Sequence, residues 1–221
     1  MSWIKTYLSS SIGRKQIVAK TGILLCLFLL THLAGNLLLF CGFTTEYCAF
    51  NEYAAKLTSN KPFLYFAEVI LFSIFGTHIY LALTLNAENS QARGPVGYDV
   101  NANAGDLTVP SKTMRFSGLW TLVFLIQHLY NFKFADQGEK GLFGVVEDAF
   151  QNPMWSAYYV LSMFVLAMHV RHGVKSVFQT YGVNHVKYND IINKISLGYA
   201  AIIFIGFSSI PVWFLLKGGA A

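Results

Sequence analysis

The chain has 221 residues, of which 54% are hydrophobic and 12% are charged, and its formal net charge is +5. Soluble domains typically carry about 25% charged residues, so this composition favours an integral membrane protein. The basic residues are scattered between apolar runs and form no basic, aromatic-interleaved stripe, which argues against a nucleic-acid partner.

Five apolar segments are long enough to cross a bilayer, a distance that takes about 20 helical residues. They extend over residues 21–43, 63–85, 116–134, 155–177 and 195–216. The four connections between them are polar and contain proline or glycine, which is typical of loops. We therefore predict an all-α membrane protein in which residues 1–221 form a single integral membrane domain of five transmembrane helices.

The basic residues are distributed unevenly between the two ends of these segments. Eleven lie in the N-terminal stretch and in or beside the second and fourth connections, whereas four lie in or beside the first and third connections. The positive-inside rule therefore places the N-terminus in the cytoplasm and the C-terminus outside. The opening residues 2–15 mix Trp3, Ile4 and Leu8 with Lys5, which is typical of a short interfacial helix or of a docking surface for a cytoplasmic partner.

Each of the first four segments contains a histidine: His32, His78, His128 and His169. An ionisable side chain at membrane depth is costly and normally has a function. Two imidazoles that face each other across a helix bundle are what a bis-histidine haem requires, so four would hold two haems. A polar residue that merely bridges two helices is the alternative for any single histidine. Four of them on four helices favour a haem-binding bundle.

The four histidines fall into two depth classes if each helix rises about 1.5 Å per residue. Counting from the cation that precedes the first and third segments places His32 and His128 roughly 18–20 Å from the cytoplasmic edge. Counting from the polar ends of the second and fourth segments places His78 about 12 Å and His169 about 9 Å from the same edge. We therefore predict an outer pair, His32 with His128, and an inner pair, His78 with His169.

A ligand histidine usually donates its other ring N–H to a neighbouring oxygen, which fixes its tautomer. A carbonyl or hydroxyl one turn before the histidine is the expected acceptor, and Thr31, Ser73 and Thr77 are nearby candidates.

Several short sequence stretches are typical of one family. They are SSIGRK (10–15), THLAGN (31–36), FNEYA (50–54), GTH (76–78), QHL (127–129), MHVRHG (168–173) and QTYGVNH (179–185). The chain resembles, over nearly its whole length, the five-helix, di-haem cytochrome b membrane subunit of succinate:quinone oxidoreductases. It is similar to the single-subunit anchors of menaquinone-using bacterial succinate dehydrogenases and fumarate reductases. The four-histidine pattern is the most specific part of the resemblance.

The resemblance implies a set of ligands and cofactors. The first and third family histidines hold the haem far from the catalytic subunits, and the second and fourth hold the near one, which agrees with the depth argument. The fourth family ligand lies four residues before a glycine, a pattern that His169 and Gly173 satisfy and that favours His169 over His172. His172 lies beside Arg171 and Lys175 at the cytoplasmic end, so we expect it near a haem propionate or a quinone, with a solvated histidine at the loop edge as the alternative. The implied cofactors are two b haems, and menaquinone is the implied substrate.

The resemblance also implies partners and a location. A flavoprotein subunit with covalent FAD and an iron–sulfur subunit would bind on the cytoplasmic face of a bacterial inner membrane, and a dimer of such heterotrimers is one possible assembly. Succinate chemistry would occur in the flavoprotein, while this chain would carry electrons between the iron–sulfur subunit and the quinone.

Carboxylates and cations are the remaining candidate site residues. Quinone reduction consumes two protons per two electrons, and Glu52 and Glu68, towards the outer side, are the candidate proton carriers, with solvated interfacial carboxylates as the alternative. Arg14, Arg115 and Lys175, at the cytoplasmic edge, are candidates to pair with haem propionates, with topology signalling as the alternative.

Two other functions are compatible with the sequence. A cytochrome b subunit of a hydrogenase or formate dehydrogenase would keep the haems but change the soluble partner. A haem-free transporter would use the histidines as proton relays, but such proteins typically show internal repeats, and no clear repeat is evident from inspection of the sequence. The direction of the reaction and the side of the quinone site stay open at this stage.

Overall fold

The computed structural model describes residues 2–40, 49–93 and 113–218. Within these ranges the regular elements are all helical, which confirms the predicted all-α class. The α-helices are α1 (Trp3–Ser9), α2 (Ser11–Asn36), α3 (Ala49–Ser59), α4 (Lys61–Arg93), α5 (Met114–His128), α6 (Gly141–Phe150), α7 (Pro153–Thr180) and α8 (Val186–Gly218). A 3-10 turn, Leu37–Phe40, continues α2, and a π-helical turn, Leu129–Lys133, continues α5.

Four helical segments are long and apolar enough to cross a membrane. They are Ser11–Phe40, Lys61–Ala92, Pro153–Thr180 and Val186–Lys217. These correspond to the first, second, fourth and fifth predicted segments. The third predicted segment, 116–134, is divided between α5, which has 15 residues, and the π-helical turn of 5 residues.

The helices extend beyond the apolar windows that predicted them. The first begins at Ser11 rather than at residue 21, the second reaches Arg93 rather than residue 85, and the last begins at Val186 rather than at residue 195. The added turns are polar, so hydropathy does not predict them. They are helical because a helix already nucleated by its apolar part gains one hydrogen bond per further residue. The predicted end of the first segment lies in residues 41–48, outside the described ranges.

Local sequence signals explain where two of the long helices begin. The Ser10 hydroxyl accepts a hydrogen bond from the amide of Gly13 at 3.0 Å and caps the start of α2. The Asn152 side chain accepts from the amide of Met154 at 2.9 Å and caps α7, where Pro153 occupies the first helical position. Proline suits that position because its missing N–H would have no helical partner.

The long helices form an up-and-down bundle. Helix α2 packs antiparallel to α4, since Thr21 lies beside His78 while Arg14, earlier in α2, pairs with Glu88, later in α4. Helix α5 packs antiparallel to α7 in the same way, and α8 packs on both α7 and α2. Nearly half of the apolar window of α7 is buried, whereas none of that of α4 is, so α7 is central and α4 is peripheral.

Two of the predicted loops contain short helices that cover one end of the bundle. Helices α3 and α6 pack against each other, and the Asn51 side chain joins them by accepting the amide of Phe143 at 3.1 Å. Phe143 is 2% exposed and contacts Phe214 of α8 at a ring-centroid distance of 5.6 Å. Tyr53 of α3 lies against Gly35 near the end of α2, where an added Cβ would come within 2.9 Å of its ring. This end is the one at which α2 finishes and α4 starts.

The opposite end is closed by the N-terminal residues. Helix α1 is a separate short helix, as expected for residues 2–15, and it folds back so that the Tyr7 hydroxyl contacts Gln16. The Arg14 guanidinium forms two hydrogen bonds with the Glu88 carboxylate, at 2.6 and 2.8 Å, and ties the start of α2 to the end of α4. Bidentate pairs of this kind fix orientation as well as distance.

Gly13 provides a test of the α1–α2 turn. A Cβ at this position would lie 2.0 Å from the Tyr7 carbonyl oxygen, which also accepts the Ser10 hydroxyl. We expect Gly13→Ala to open this turn at a cost of about 1–3 kcal/mol, and to raise amide exchange over residues 10–14 about tenfold or more. Hydrogen–deuterium exchange in detergent measures this. Gly198→Ala is the control, because a Cβ there meets no atom within 4 Å; equal exchange in both variants would contradict the account.

Candidate cofactor site

His32 of α2 and His128 of α5 face each other inside the bundle. Their ring centroids are 5.9 Å apart and their planes are nearly perpendicular, at 89°. Aromatic side chains surround both rings: Phe28 and Phe207 contact His32, while Phe124, Phe132 and Tyr159 contact His128. The predicted outer pair therefore consists of two imidazoles in direct contact within an apolar, aromatic environment.

His78 of α4 is oriented by a hydroxyl of the neighbouring helix α2. Its Nδ1 lies 3.1 Å from the Thr21 Oγ1, and Thr21 donates its own hydroxyl proton to the carbonyls of Ile17 and Val18, at 2.9 and 3.0 Å. When the Thr21 proton is directed to a carbonyl of its own helix, the Thr21 oxygen is an acceptor, and this arrangement favours the Nδ1–H tautomer of His78. The Nε2 atom of His78 is then left with a free lone pair.

His169 of α7 has an equivalent partner on α5. Its Nδ1 lies 3.4 Å from the Ser117 Oγ, and Ser117 donates to the Met114 carbonyl at 3.1 Å. The same argument places the hydrogen of His169 at Nδ1 and the lone pair at Nε2. His169 also interacts electrostatically with His78.

A short repeat that sequence inspection missed underlies this arrangement. Thr21-Gly22 precedes His32 in α2, and Ser117-Gly118 precedes His128 in α5, with the same spacing in both. A Cβ on Gly22 would lie 3.5 Å from the His78 ring, and one on Gly118 would lie 3.4 Å from the His169 ring. Each of these helices therefore supplies one outer histidine and, three turns earlier, a hydroxyl and a glycine that hold an inner histidine.

The acceptors predicted from the sequence are not the ones the structure shows. The Thr31 hydroxyl bonds the Phe28 carbonyl at 3.0 Å, and the Ser73 hydroxyl bonds the Val69 carbonyl at 2.7 Å, so each serves its own helix. Hydroxyls close before a histidine in sequence bond carbonyls of the same helix. A histidine that faces a neighbouring helix instead needs an acceptor on that helix. The pattern that identifies Thr21 and Ser117 is the matching spacing of the two Thr/Ser-Gly pairs.

The outer pair has the separation expected of two ligands of one metal ion. Metal–nitrogen bonds of about 2 Å on opposite sides of an ion would put the two ring centroids roughly 6 Å apart. Within the described ranges, no group of three or more His, Cys, Asp or Glu side chains is placed to hold a metal. A site with two protein ligands suits an ion whose other positions are filled by a macrocycle, so these residues fit haem. Gly173, four residues after His169, has no atom within 4 Å of an added Cβ and leaves room for a flat group, whereas Gly76 lies on the exposed surface of α4.

The cationic candidates take different positions. Arg14 is engaged by Glu88, a residue that the sequence did not single out, and Arg115 is exposed near the start of α5. Lys175 interacts electrostatically with His172, which lies on α7 one turn beyond His169. His172 therefore belongs to the end of the bundle beyond the inner pair and has a cationic neighbour there.

The two candidate carboxylates lie towards the other end. Glu52 is exposed on α3, in the layer of short helices. Glu68 of α4 forms an ion pair with Lys133 in the π-helical turn after α5, with the two side chains 37% and 44% exposed. This pair connects the helices of His78 and His128, and it lies on the His128 side, because Lys133 follows His128 by little more than one turn.

Comparison of this chain with known protein families, with curated proteins and with solved structures found no match in any of the three.

The hydroxyl partners of the inner histidines can be tested directly. We expect Ser117→Ala to remove the preference of His169 for the Nδ1–H tautomer, because no acceptor then faces that atom. Nitrogen-15 NMR of histidine-labelled protein at neutral pH measures the tautomer ratio. Ser162→Ala is the matched control, since Ser162 is a buried serine that accepts the Trp120 indole N–H at 3.1 Å and has no recorded contact with a histidine. An unchanged ratio in Ser117→Ala would refute the assignment.

Proposed function

We propose that this chain is the di-haem cytochrome b membrane-anchor subunit of a bacterial succinate:quinone oxidoreductase. In this proposal α5 with its π-helical turn is the fifth membrane crossing, and α2, α4, α5 and α7 form the haem-binding bundle. The chain carries electrons between an iron–sulfur subunit and menaquinone, and the succinate or fumarate chemistry belongs to a flavoprotein subunit with FAD.

The arrangement of the four histidines is the observation that carries the proposal. Each of four helices contributes one histidine: His32 and His128 face each other, and His169 interacts electrostatically with His78. The two inner rings have their Nδ1 atoms beside hydroxyls that act as acceptors, which leaves Nε2 available to a metal. Bound haem would supply reversible one-electron transfer at each pair. A haem-free transporter does not require two separated pairs of this kind.

The residues hold the two pairs at different depths. Thr21, beside the inner pair, and His32, in the outer pair, are 11 residues apart on α2, which corresponds to roughly 16 Å along the helix axis. The aromatic side chains around the outer pair exclude water, and Phe207 of α8 packs on His32 at 5.8 Å. This spacing supports stepwise electron transfer from one membrane face towards the other.

The distribution of charge supports the orientation and the partners. The cation-rich end contains Arg14, Arg115 and Lys175, and we assign it to the cytoplasm. Helix α1 lies at this end and exposes Trp3, at 77%, and Ile4. The iron–sulfur subunit would dock here, next to the inner pair. His172 and Lys175 would face a haem propionate or a quinone at the same end.

The outer end supplies groups for proton transfer to a quinone. Menaquinone reduction takes up two electrons and two protons, so the site needs a proton carrier that stays near the haem. Glu68, held by Lys133, and the exposed Glu52 are the carboxylates that we assign to this role. The ion pair with Lys133 holds Glu68 beside the π-helical turn that follows His128.

Haem content tests the proposal. We expect the detergent-purified chain to contain two b haems, quantified by reduced-minus-oxidised spectra and the pyridine haemochrome. His32→Ala and His128→Ala should each remove the same haem, and His78→Ala and His169→Ala the other, because loss of one axial ligand weakens haem binding. His172→Ala should retain both.

Absence of haem from a folded wild-type chain would refute the function. Copurification from native membranes identifies the soluble partner separately: a flavoprotein with FAD and an iron–sulfur subunit support the succinate assignment, whereas a hydrogenase or formate dehydrogenase subunit would contradict it while leaving the haem sites intact.

The carboxylates provide a second test in the assembled complex. We expect Glu68→Gln and Glu52→Gln to lower quinone turnover by tenfold or more while both haems stay bound, since positioned acid–base groups typically contribute about 10²–10⁴-fold. The measurement is steady-state quinol or succinate kinetics. Asp148→Asn is the control. Asp148 lies on α6, in the same layer of short helices, and forms an exposed ion pair with Lys140 at 3.4 Å. Normal kinetics in both glutamine variants would contradict the assigned role.

A further inference from the structure

Two buried polar atoms at the outer pair lack hydrogen-bond partners. Among the described residues, four buried side-chain nitrogen or oxygen atoms have none, and two of the four are the Nδ1 of His128 and the hydroxyl oxygen of Tyr159. Buried polar groups are nearly always paired, so each exception requires an explanation. These two belong to side chains that are in contact.

Tyr159 of α7 is inserted beside His128 and is almost completely buried. It is 5% exposed, and its ring centroid lies 6.2 Å from that of His128. The rings of Phe124, Phe132 and Phe150 surround it at centroid distances of 5.1, 5.7 and 4.9 Å. A phenylalanine would fill this aromatic cluster equally well without burying a hydroxyl. The hydroxyl is therefore difficult to explain by packing alone.

Asn131 completes a polar group next to this hydroxyl. It follows His128 by three residues, and its Oδ1 accepts the Gln127 side-chain amide at 2.7 Å. The amide nitrogen of Asn131 is thus left to donate, and Asn131 lies close to the Tyr159 hydroxyl, although the two form no hydrogen bond of acceptable geometry. The tyrosine oxygen therefore keeps its lone pairs for another donor.

The hydroxyl contacts of the inner histidines indicate which hydrogen bond is missing at the outer pair. There, Thr21 and Ser117 each accept an Nδ1–H, so both rings present Nε2. Among the described residues, no threonine or serine hydroxyl is hydrogen-bonded to the Nδ1 atom of His128. Tyr159, whose hydroxyl also has no partner, contacts His128.

We propose that Tyr159 is the positioning residue for His128: its hydroxyl accepts the Nδ1–H of the histidine, directly or through one water molecule, when His128 serves as a haem ligand. This inference rests on the proposed function. Acceptance of Nδ1–H makes an imidazole a stronger donor to iron and favours the oxidised form of the metal. Tyr159 would thereby lower the reduction potential of the outer haem alone.

Redox titration of the full chain with both haems bound tests this. We expect Tyr159→Phe, which keeps the ring, to raise the midpoint potential of one haem by about 59 mV, equivalent to a tenfold change in its one-electron equilibrium, and to leave the other unchanged. Ser117→Ala should shift only the other haem. Tyr158→Phe is the matched control, because Tyr158 is the neighbour of Tyr159 and contacts its ring, but the described structure shows no contact between Tyr158 and His128; it should move neither potential.

Each outcome is decisive. Selective loss of one haem from Tyr159→Phe, with both retained in Tyr158→Phe, would support the proposal as well, since removal of such a partner lowers metal affinity. If both potentials stay fixed in Tyr159→Phe, or both shift together, the role of Tyr159 is wrong even though the chain binds haem. A wild-type chain without haem would overturn the proposed function and this inference with it.

Discussion

The inability of a lipid environment to satisfy buried polar groups is the constraint on which the arrangement of this protein depends. Each imidazole inside the bundle carries an N–H that water would otherwise accept, and hydrocarbon provides no substitute. Thr21 and Ser117 meet this need for His78 and His169. Because each hydroxyl proton is already used by a carbonyl of its own helix, the same contact also determines which ring nitrogen stays free. The hydrogen bond that satisfies the ring N–H therefore also selects the tautomer of the histidine.

This constraint also explains the order in which the helices pack. The two helices that carry the hydroxyls, α2 and α5, must each lie against the helix that carries the matching histidine, α4 or α7. The observed antiparallel contacts, α2 with α4 and α5 with α7, are those pairs. Helix α8 contributes no histidine; it covers His32 through Phe207 and anchors the short helices through Phe214. The hydroxyls that orient the histidines thus lie on α2 and α5, whereas α8 contributes side chains that enclose the site.

The sequence predicted that His32 lies level with His128, but it did not predict the hydroxyl partners of the inner histidines. The rise of a helix is nearly constant, so counting residues from a charged edge brings His32 level with His128, and the structure shows the two rings in contact. The acceptors were missed because they lie on other helices, and sequence distance does not reveal which helices are neighbours. The sequence did not predict the Arg14–Glu88 and Glu68–Lys133 ion pairs for the same reason, because each joins two different helical segments. The short helices α3 and α6 escaped hydropathy analysis because they are stable only against each other and against Phe214.

The peripheral position of α4 has a consequence for how the bundle opens. Leu85 is its one buried large hydrophobic side chain in the described residues, so apolar packing within the chain holds it weakly. It is fastened instead by Arg14–Glu88 at one end, by Glu68–Lys133 at the other and by the Thr21–His78 contact between them. Regions with few buried apolar contacts open first. A flat molecule could therefore enter between the helices by displacing α4 sideways, against three polar contacts, while the core around α7 stays folded.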